Sequence, residues 1–173
     1  MPTISPPILL IGIGNEYCSD DGAGLAVCRA LKTKGFPGAL VIECECDGTV
    51  LMEIWKNAKR VILIDAVSSG ARPGAIYRFD VHKEHIPLSF SFQSTHAFGV
   101  AEAIGLARVL EQLPPYLIIY AIEGKNFSSG KGLSLEVEKA VQQIVELVMS
   151  EVQGAQIPAG ATWPQKMVRD RRL

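Results

Sequence analysis

No apolar run in the sequence approaches the ~20 residues that a membrane-spanning helix needs. The longest, Leu117 to Ile122, is the length of a strand. The chain has no excess of charge either: 17 Lys and Arg stand against 18 Asp and Glu, a formal net charge of -1. A protein so balanced has no overall electrostatic case for nucleic acid or for an acidic membrane surface. The opening residues, MPTISPP, lack the basic and apolar regions of a signal peptide. A cytoplasmic protein that binds neither nucleic acid nor membrane is the expectation. Cysteines are few, at positions 18, 28, 44 and 46. In that compartment disulfides are not expected, and the cysteines read as structural. Cys44 and Cys46 form a Cys-x-Cys, and no second pair stands at zinc-ligand spacing.

What the chain does have is a globular composition, 48% hydrophobic over 173 residues, enough for one domain with a sizeable core. Strand-like and helix-like stretches alternate. Ile8–Ile13, Leu40–Glu45, Arg60–Ala66 and Tyr116–Ile122 read as strands, the first of them buried on both faces, and Ala75–Asp80 as an edge strand. Gly22–Lys34, Val50–Asn57, Ala97–Glu111 and Leu133–Val152 carry helical apolar spacing. The pattern predicts a single three-layer α/β sandwich, with a mostly parallel, twisted five-stranded sheet between helices. The domain is expected over residues 1–153, and residues 154–173, with Pro158, Pro164 and a basic end, read as a flexible tail.

The stretch Ile8 to Gly24 organises the rest. It runs from an apolar strand through Gly12-Ile13-Gly14-Asn15 to the acidic pair Asp20-Asp21 before a second glycine cluster. A dinucleotide fingerprint would need a third glycine at position 17, where Tyr17 stands, and the acidic loop would oppose a pyrophosphate. In an open parallel sheet ligands bind beyond the carboxyl ends of the strands. The first exit loop brings Asp20 and Asp21 there, the third strand ends on Asp65, and His96 opens the helix that follows Ser94 and Thr95. Two carboxylates and an imidazole make a mixed oxygen and nitrogen ligand set for a borderline divalent ion. Each also has a plainer reading: Asp20 and Asp21 as helix caps, Asp65 as a loop or capping carboxylate, His96 as a first-turn histidine satisfied by backbone. His82 and His85 lie in a polar loop and read as solvated.

Taken in order, these residues resemble the hydrogenase maturation proteases. The resemblance rests on Gly12-Ile13-Gly14-Asn15, Asp20-Asp21-Gly22-x-Gly24, Ile64-Asp65-Ala66, Ser94-Thr95-His96-x-x-Gly99 and Gly132-Leu133-Ser134. It implies an aspartic-type endopeptidase, a monomer in expectation, that trims the C-terminus of a nickel-iron hydrogenase large-subunit precursor. It also implies that Asp21, Asp65 and His96 contact nickel and carry the catalysis, the nickel being supplied by the substrate with no permanent organic cofactor. The family often has Asp-Gly-Gly-Thr after the second strand; this chain has Cys46-Asp47-Gly48-Thr49, so Asp47, Gly48 and Thr49 take the substrate-binding position. Glu16 and Cys18 stand where the family tends to apolar residues. A non-enzymatic nickel-binding or carrier protein using the same residues is the alternative.

Overall fold

The structure is a computed structural model and describes residues 7–87, 90–92 and 98–154. Six strands and four helices alternate: β1 (Ile8–Ile13), α1 (Ala23–Lys34), β2 (Ala39–Cys44), α2 (Gly48–Trp55), β3 (Arg60–Ser68), β4 (Ile76–Asp80), β5 (Ser91–Phe92), α3 (Val100–Val109), β6 (Tyr116–Glu123) and α4 (Leu135–Val152). The sheet order is β2-β1-β3-β6-β4, with β5 added beside the end of β3. β2, β1, β3 and β6 run parallel, while β4 lies antiparallel to β6 and β5 antiparallel to β3. The sandwich expected from the sequence is the one observed, widened by the two-residue β5.

The central strands β1, β3 and β6 are buried on both faces because helices cover both, whereas β2 at the sheet edge leaves Leu40 exposed. α1 and α4 pack on the face that carries Leu10, Ile62, Ile64, Ile118 and Tyr120. α2 and α3 pack on the face that carries Ile11, Leu63, Leu117 and Ile119. β1 sends its crossover to one side and β3 continues on the other. The crevice at the carboxyl ends of β1 and β3 is therefore the point where strand order reverses, the place where such sheets hold ligands. No helix among the described residues is long and apolar enough to cross a membrane.

Several local expectations are corrected. A 3-10 turn, Ser19–Gly22, precedes α1, so the acidic pair lies in the turn before the helix. α2 begins at Gly48, two residues before the expected Val50, because Asp47 caps it, and Val50 is 47% exposed. α3 begins at Val100 with Gly99 as its cap, where Glu102 reaches back to accept from the Gly99 N–H at 3.0 Å. α4 begins at Leu135. In β4 the inward residue is Tyr77, whose ring meets Phe90 edge-on at 4.7 Å between centroids. Ser94, Thr95, His96 and the tail from residue 155 onward lie outside the described residues.

The cysteines differ most. Cys44 and Cys46 are joined as a disulfide, against the expectation of none. β2 ends at Cys44 and the chain turns, which brings the two Cα atoms to 5.1 Å, inside the span a disulfide bridges. Cys28 is buried and free, and burial pushes its thiol up to about 12. Cys18 is free and half-buried.

Candidate active site

The site begins with glycine contacts. Gly14 has φ +146, and a Cβ there would collide with the carbonyl oxygen of Asp21. A Cβ on Gly24 would meet the backbone oxygens of both Ile13 and Ile64. Only glycine permits α1 to start in backbone contact with the ends of β1 and β3. That contact lays the Ser19–Gly22 turn over the crevice.

The two neighbouring aspartates then do different things. Asp20 is fully buried and accepts four hydrogen bonds from the β6–α4 connection: Lys125 N–H at 2.8 Å, Asn126 N–H at 2.9 Å, Ser134 N–H at 2.7 Å and the Ser134 hydroxyl at 3.0 Å. It is a structural clamp across the site's rim. Asp21 is 4% exposed. Its Oδ2 accepts from the Asn15 N–H at 2.9 Å, and its Oδ1 is buried with no hydrogen-bond partner among the described residues. Burial raises the Asp21 carboxyl to about 6, the charge of Glu45 adds to the rise, and the Asn15 hydrogen bond opposes it.

Asp65 lies near the end of β3, 2% exposed, on the face covered by α2 and α3 because Leu63, two residues earlier, packs there. Its Oδ1 accepts from the Ala66 N–H at 2.8 Å. Burial, and then the charge of Asp21, raises its carboxyl well above the usual range. The structure thus brings Asp21 and Asp65, forty-four residues apart in the sequence, into one electrostatic unit. Two carboxyls coupled in this way resist ionising together. A buried carboxylate oxygen without a partner, beside a second buried carboxyl, also suits a divalent cation, whose charge would relieve both costs.

His96 lies outside the described residues, but both ends of its segment are fixed. Phe92 pairs with Val67, two residues past Asp65. Phe98 accepts at its carbonyl from the Gly48 N–H at 2.8 Å. Asp47, Gly48 and Thr49 form the start of α2: Asp47 Oδ1 accepts from Thr49 N–H, the Thr49 hydroxyl and Val50 N–H at 2.9, 2.6 and 3.1 Å. Gly48 fits flat against the Phe98 ring, where a Cβ would clash. The described residues contain no group of three or more His, Cys, Asp or Glu side chains arranged to hold a metal.

Sequence reasoning missed two acidic residues here. Glu123, one residue past the strand expected to end at Ile122, ends β6 and is 2% exposed. It accepts from Ser69 N–H, the Ser69 hydroxyl at 2.7 Å and Gly70 N–H at 3.1 Å, tying down the loop after β3. The signal was present, since Ile122-Glu123 repeats the apolar-then-acidic pattern of Ile64-Asp65, although β3 runs three residues past Asp65, to Ser68. Glu45 has no such signal; only the fold sets it near Asp21. His82 and His85 are exposed, as expected, although His82 Nε2 also contacts the Pro114 carbonyl at 2.8 Å.

Comparison with known proteins gives this geometry its context. The family model described as hydrogenase maturation protease matches residues 26–151. The chain is 26% identical over 157 residues to the hydrogenase 2 maturation protease of Escherichia coli, an alignment covering 88% of this chain and 94% of that protein. Among solved structures, the [NiFe] hydrogenase maturation protease HybD from Thermococcus kodakarensis superimposes with a TM-score of 0.64 at 26% identity, over 84% of this chain and 99% of that one. The hydrogenase maturating endopeptidase HybD from Escherichia coli shares the fold, with a TM-score of 0.65 at 20% identity over 86% and 93% of the two chains. The matched region spans most of the domain, from α1 to the last turn of α4, and the chain belongs to the hydrogenase maturation protease family.

Proposed function

We propose that this endopeptidase removes the C-terminal extension of a nickel-loaded [NiFe] hydrogenase large-subunit precursor, and that Asp21, Asp65 and His96 meet the nickel the substrate brings. The observation that carries this reading is the buried Oδ1 of Asp21, without a hydrogen-bond partner among the described residues, beside the buried carboxyl of Asp65. Family membership supports the peptidase activity and a hydrogenase precursor as its target.

In this reading nickel is part of the substrate. Three protein ligands leave coordination positions for the substrate's own, so the metal anchors the polypeptide and sets the scissile bond against the enzyme. Asp21, whose carboxyl is raised to about 6, is suited to take a proton from an attacking water near neutral pH. Asp65, its carboxyl raised by burial and by the charge of Asp21, is suited to hold one for the leaving amine. Asp47, Gly48 and Thr49, pinned against Phe98 beside the segment that carries His96, contact the substrate chain.

The test is incubation of a nickel-loaded precursor with the purified protein. A shorter precursor and a released C-terminal peptide are expected with the wild type and with neither Asp21→Asn nor Asp65→Asn. Undiminished cleavage by both variants would remove the two carboxylates from the reaction. Tight stoichiometric nickel binding by the isolated protein, without proteolysis, would favour a carrier.

A further inference from the structure

The Cys44–Cys46 disulfide has no part in the reaction just described, yet it sits at a corner where three contacts of the site meet. Cys44 is the last residue of β2, and its carbonyl accepts from the N–H of Gly14 at the exit of β1 at 3.3 Å. Cys46 directly precedes Asp47, whose side chain caps α2. Gly48, two residues on, is bonded to Phe98. Glu45, held between the two cysteines, acts electrostatically on Asp21. Both cysteines pack into the apolar cluster under α2 and α3, the face to which Asp65 also belongs.

We propose that Cys44 and Cys46 are a redox-active pair whose disulfide clamps the β2–α2 corner and whose reduction loosens the Asp47–Thr49 segment beside the Asp21–Asp65 site. A bridge between residues so close in sequence closes a very short loop, so it constrains the unfolded chain little and its effect on global stability is small. Its effect is local. In a strand, residues two apart lie about 6.6 Å from each other; the bridge holds these two Cα atoms at 5.1 Å, so β2 cannot extend through Glu45. Cys46 is half-buried and Cys44 6% exposed, which makes Cys46 Sγ the sulfur an incoming thiolate reaches first. The step is a two-electron exchange with a dithiol. The Sγ–Sγ bond breaks, Cys44 and Cys46 each gain a proton and an electron, and the dithiol closes to its own disulfide. Cys18 and Cys28 remain thiols throughout.

The structural claim stands apart from the proposed protease function, and its test does not use activity. Full-length protein is equilibrated with oxidised glutathione or with dithiothreitol, free of nickel. Alkylation and peptide mass then locate the bridge, and hydrogen exchange follows the backbone. The expected result is a 44–46 bridge in the first condition and free thiols in the second. On reduction the amides of Gly48, Thr49 and Val50 exchange at least about tenfold faster, with β3 and β6 unchanged. Cys46→Ser, a half-buried change that spares the Cys44 position in the core, shows the fast rate in both conditions. Failure of the bridge to form with oxidised glutathione, or equal exchange at residues 48–50 in both states, overturns the proposal. A consequence for catalysis, resting on the proposed function, is read by comparing Cys46→Ser with wild type on nickel-loaded precursor in the absence of thiols, which would bind nickel. Slower cleavage by the variant supports the link. Absence of cleavage by either protein counts against the protease reading and leaves the exchange result to decide the clamp.

Discussion

Asp20 and Asp21 are adjacent, both buried, and opposite in kind: the Asp20 carboxylate accepts four hydrogen bonds from the β6–α4 connection, whereas the Asp21 carboxylate keeps an oxygen with no partner among the described residues. Buried acceptors that are fully used belong to the scaffold; one left unused in a crevice is a cost kept for a ligand. The two residues therefore separate stability from function. Asp20→Ala leaves three backbone N–H groups and a hydroxyl without their acceptor and is expected to lower unfolding stability by about 2–4 kcal/mol, read from the denaturant midpoint. Asp21→Asn keeps an acceptor for the Asn15 N–H and is expected to fold normally, while cleavage falls by at least about a hundredfold. A loss of cleavage with properly folded Asp20→Ala protein, and none with Asp21→Asn, would reverse the assignment.

The raised carboxyls of Asp21 and Asp65 predict a pH dependence of stability with a definite sign. Each holds its proton more tightly folded than unfolded. Between the usual carboxylate range and the folded value, the unfolded chain has released a proton that the folded one retains. Stability is thus greatest in acid and falls as pH rises, for Asp21 from about 4 to about 6, and for Asp65 in the same direction as pH climbs from the usual carboxylate range to its raised folded value. Asp65→Asn and Asp21→Asn are expected to raise the melting temperature at pH 7 and to leave it unchanged near pH 3. For Asp21 the gain is at most about 3 kcal/mol, less whatever solvent at the mouth of the crevice already screens. Thermal melts of the three proteins across this range check it. A lower melting temperature for both variants at pH 7 would show that the carboxylates stabilise the site.

How much of this could be read in the residues alone depends on the range of the interaction. The sandwich and the positions of Asp21 and Asp65 follow from local patterns, because burial on both faces of a sheet writes a continuous apolar run, whereas β3 runs on to Ser68 and β2 stops at Cys44, one residue before the expected end. The glycine spacing around Gly14 and Gly24 marked the tight exit but not its purpose. That purpose is a backbone contact between segments that only the fold brings together. For the same reason the roles of Glu45 and Glu123 were hidden. The Cys44–Cys46 bridge was hidden differently: strand spacing puts both on one face, but the end of β2 at Cys44 is what turns their sulfurs together. Compartment reasoning pointed away from it.

A last prediction concerns a polar cluster that the apolar stripe of α4 concealed. Glu151, 7% exposed in the last turn of that helix, pairs with Arg78 of β4 and accepts from the hydroxyls of Tyr116 and Tyr120. Burial works against its charge, but Arg78 and the two hydroxyls together hold its carboxyl below the usual value. Here the sign is opposite to that at Asp65. The pairing stabilises the fold above the unfolded value of about 4.5 and is lost as pH falls through the folded one. Glu151→Gln is expected to cost about 2–4 kcal/mol at pH 7, because Arg78 keeps a charge without its partner, and progressively less below pH 4. Tyr116 begins β6, at the end of the sheet away from the carboxylates, so cleavage per folded molecule should be unchanged. A cost that does not shrink in acid would mean that packing, and not the ion pair, holds the end of α4 to the sheet.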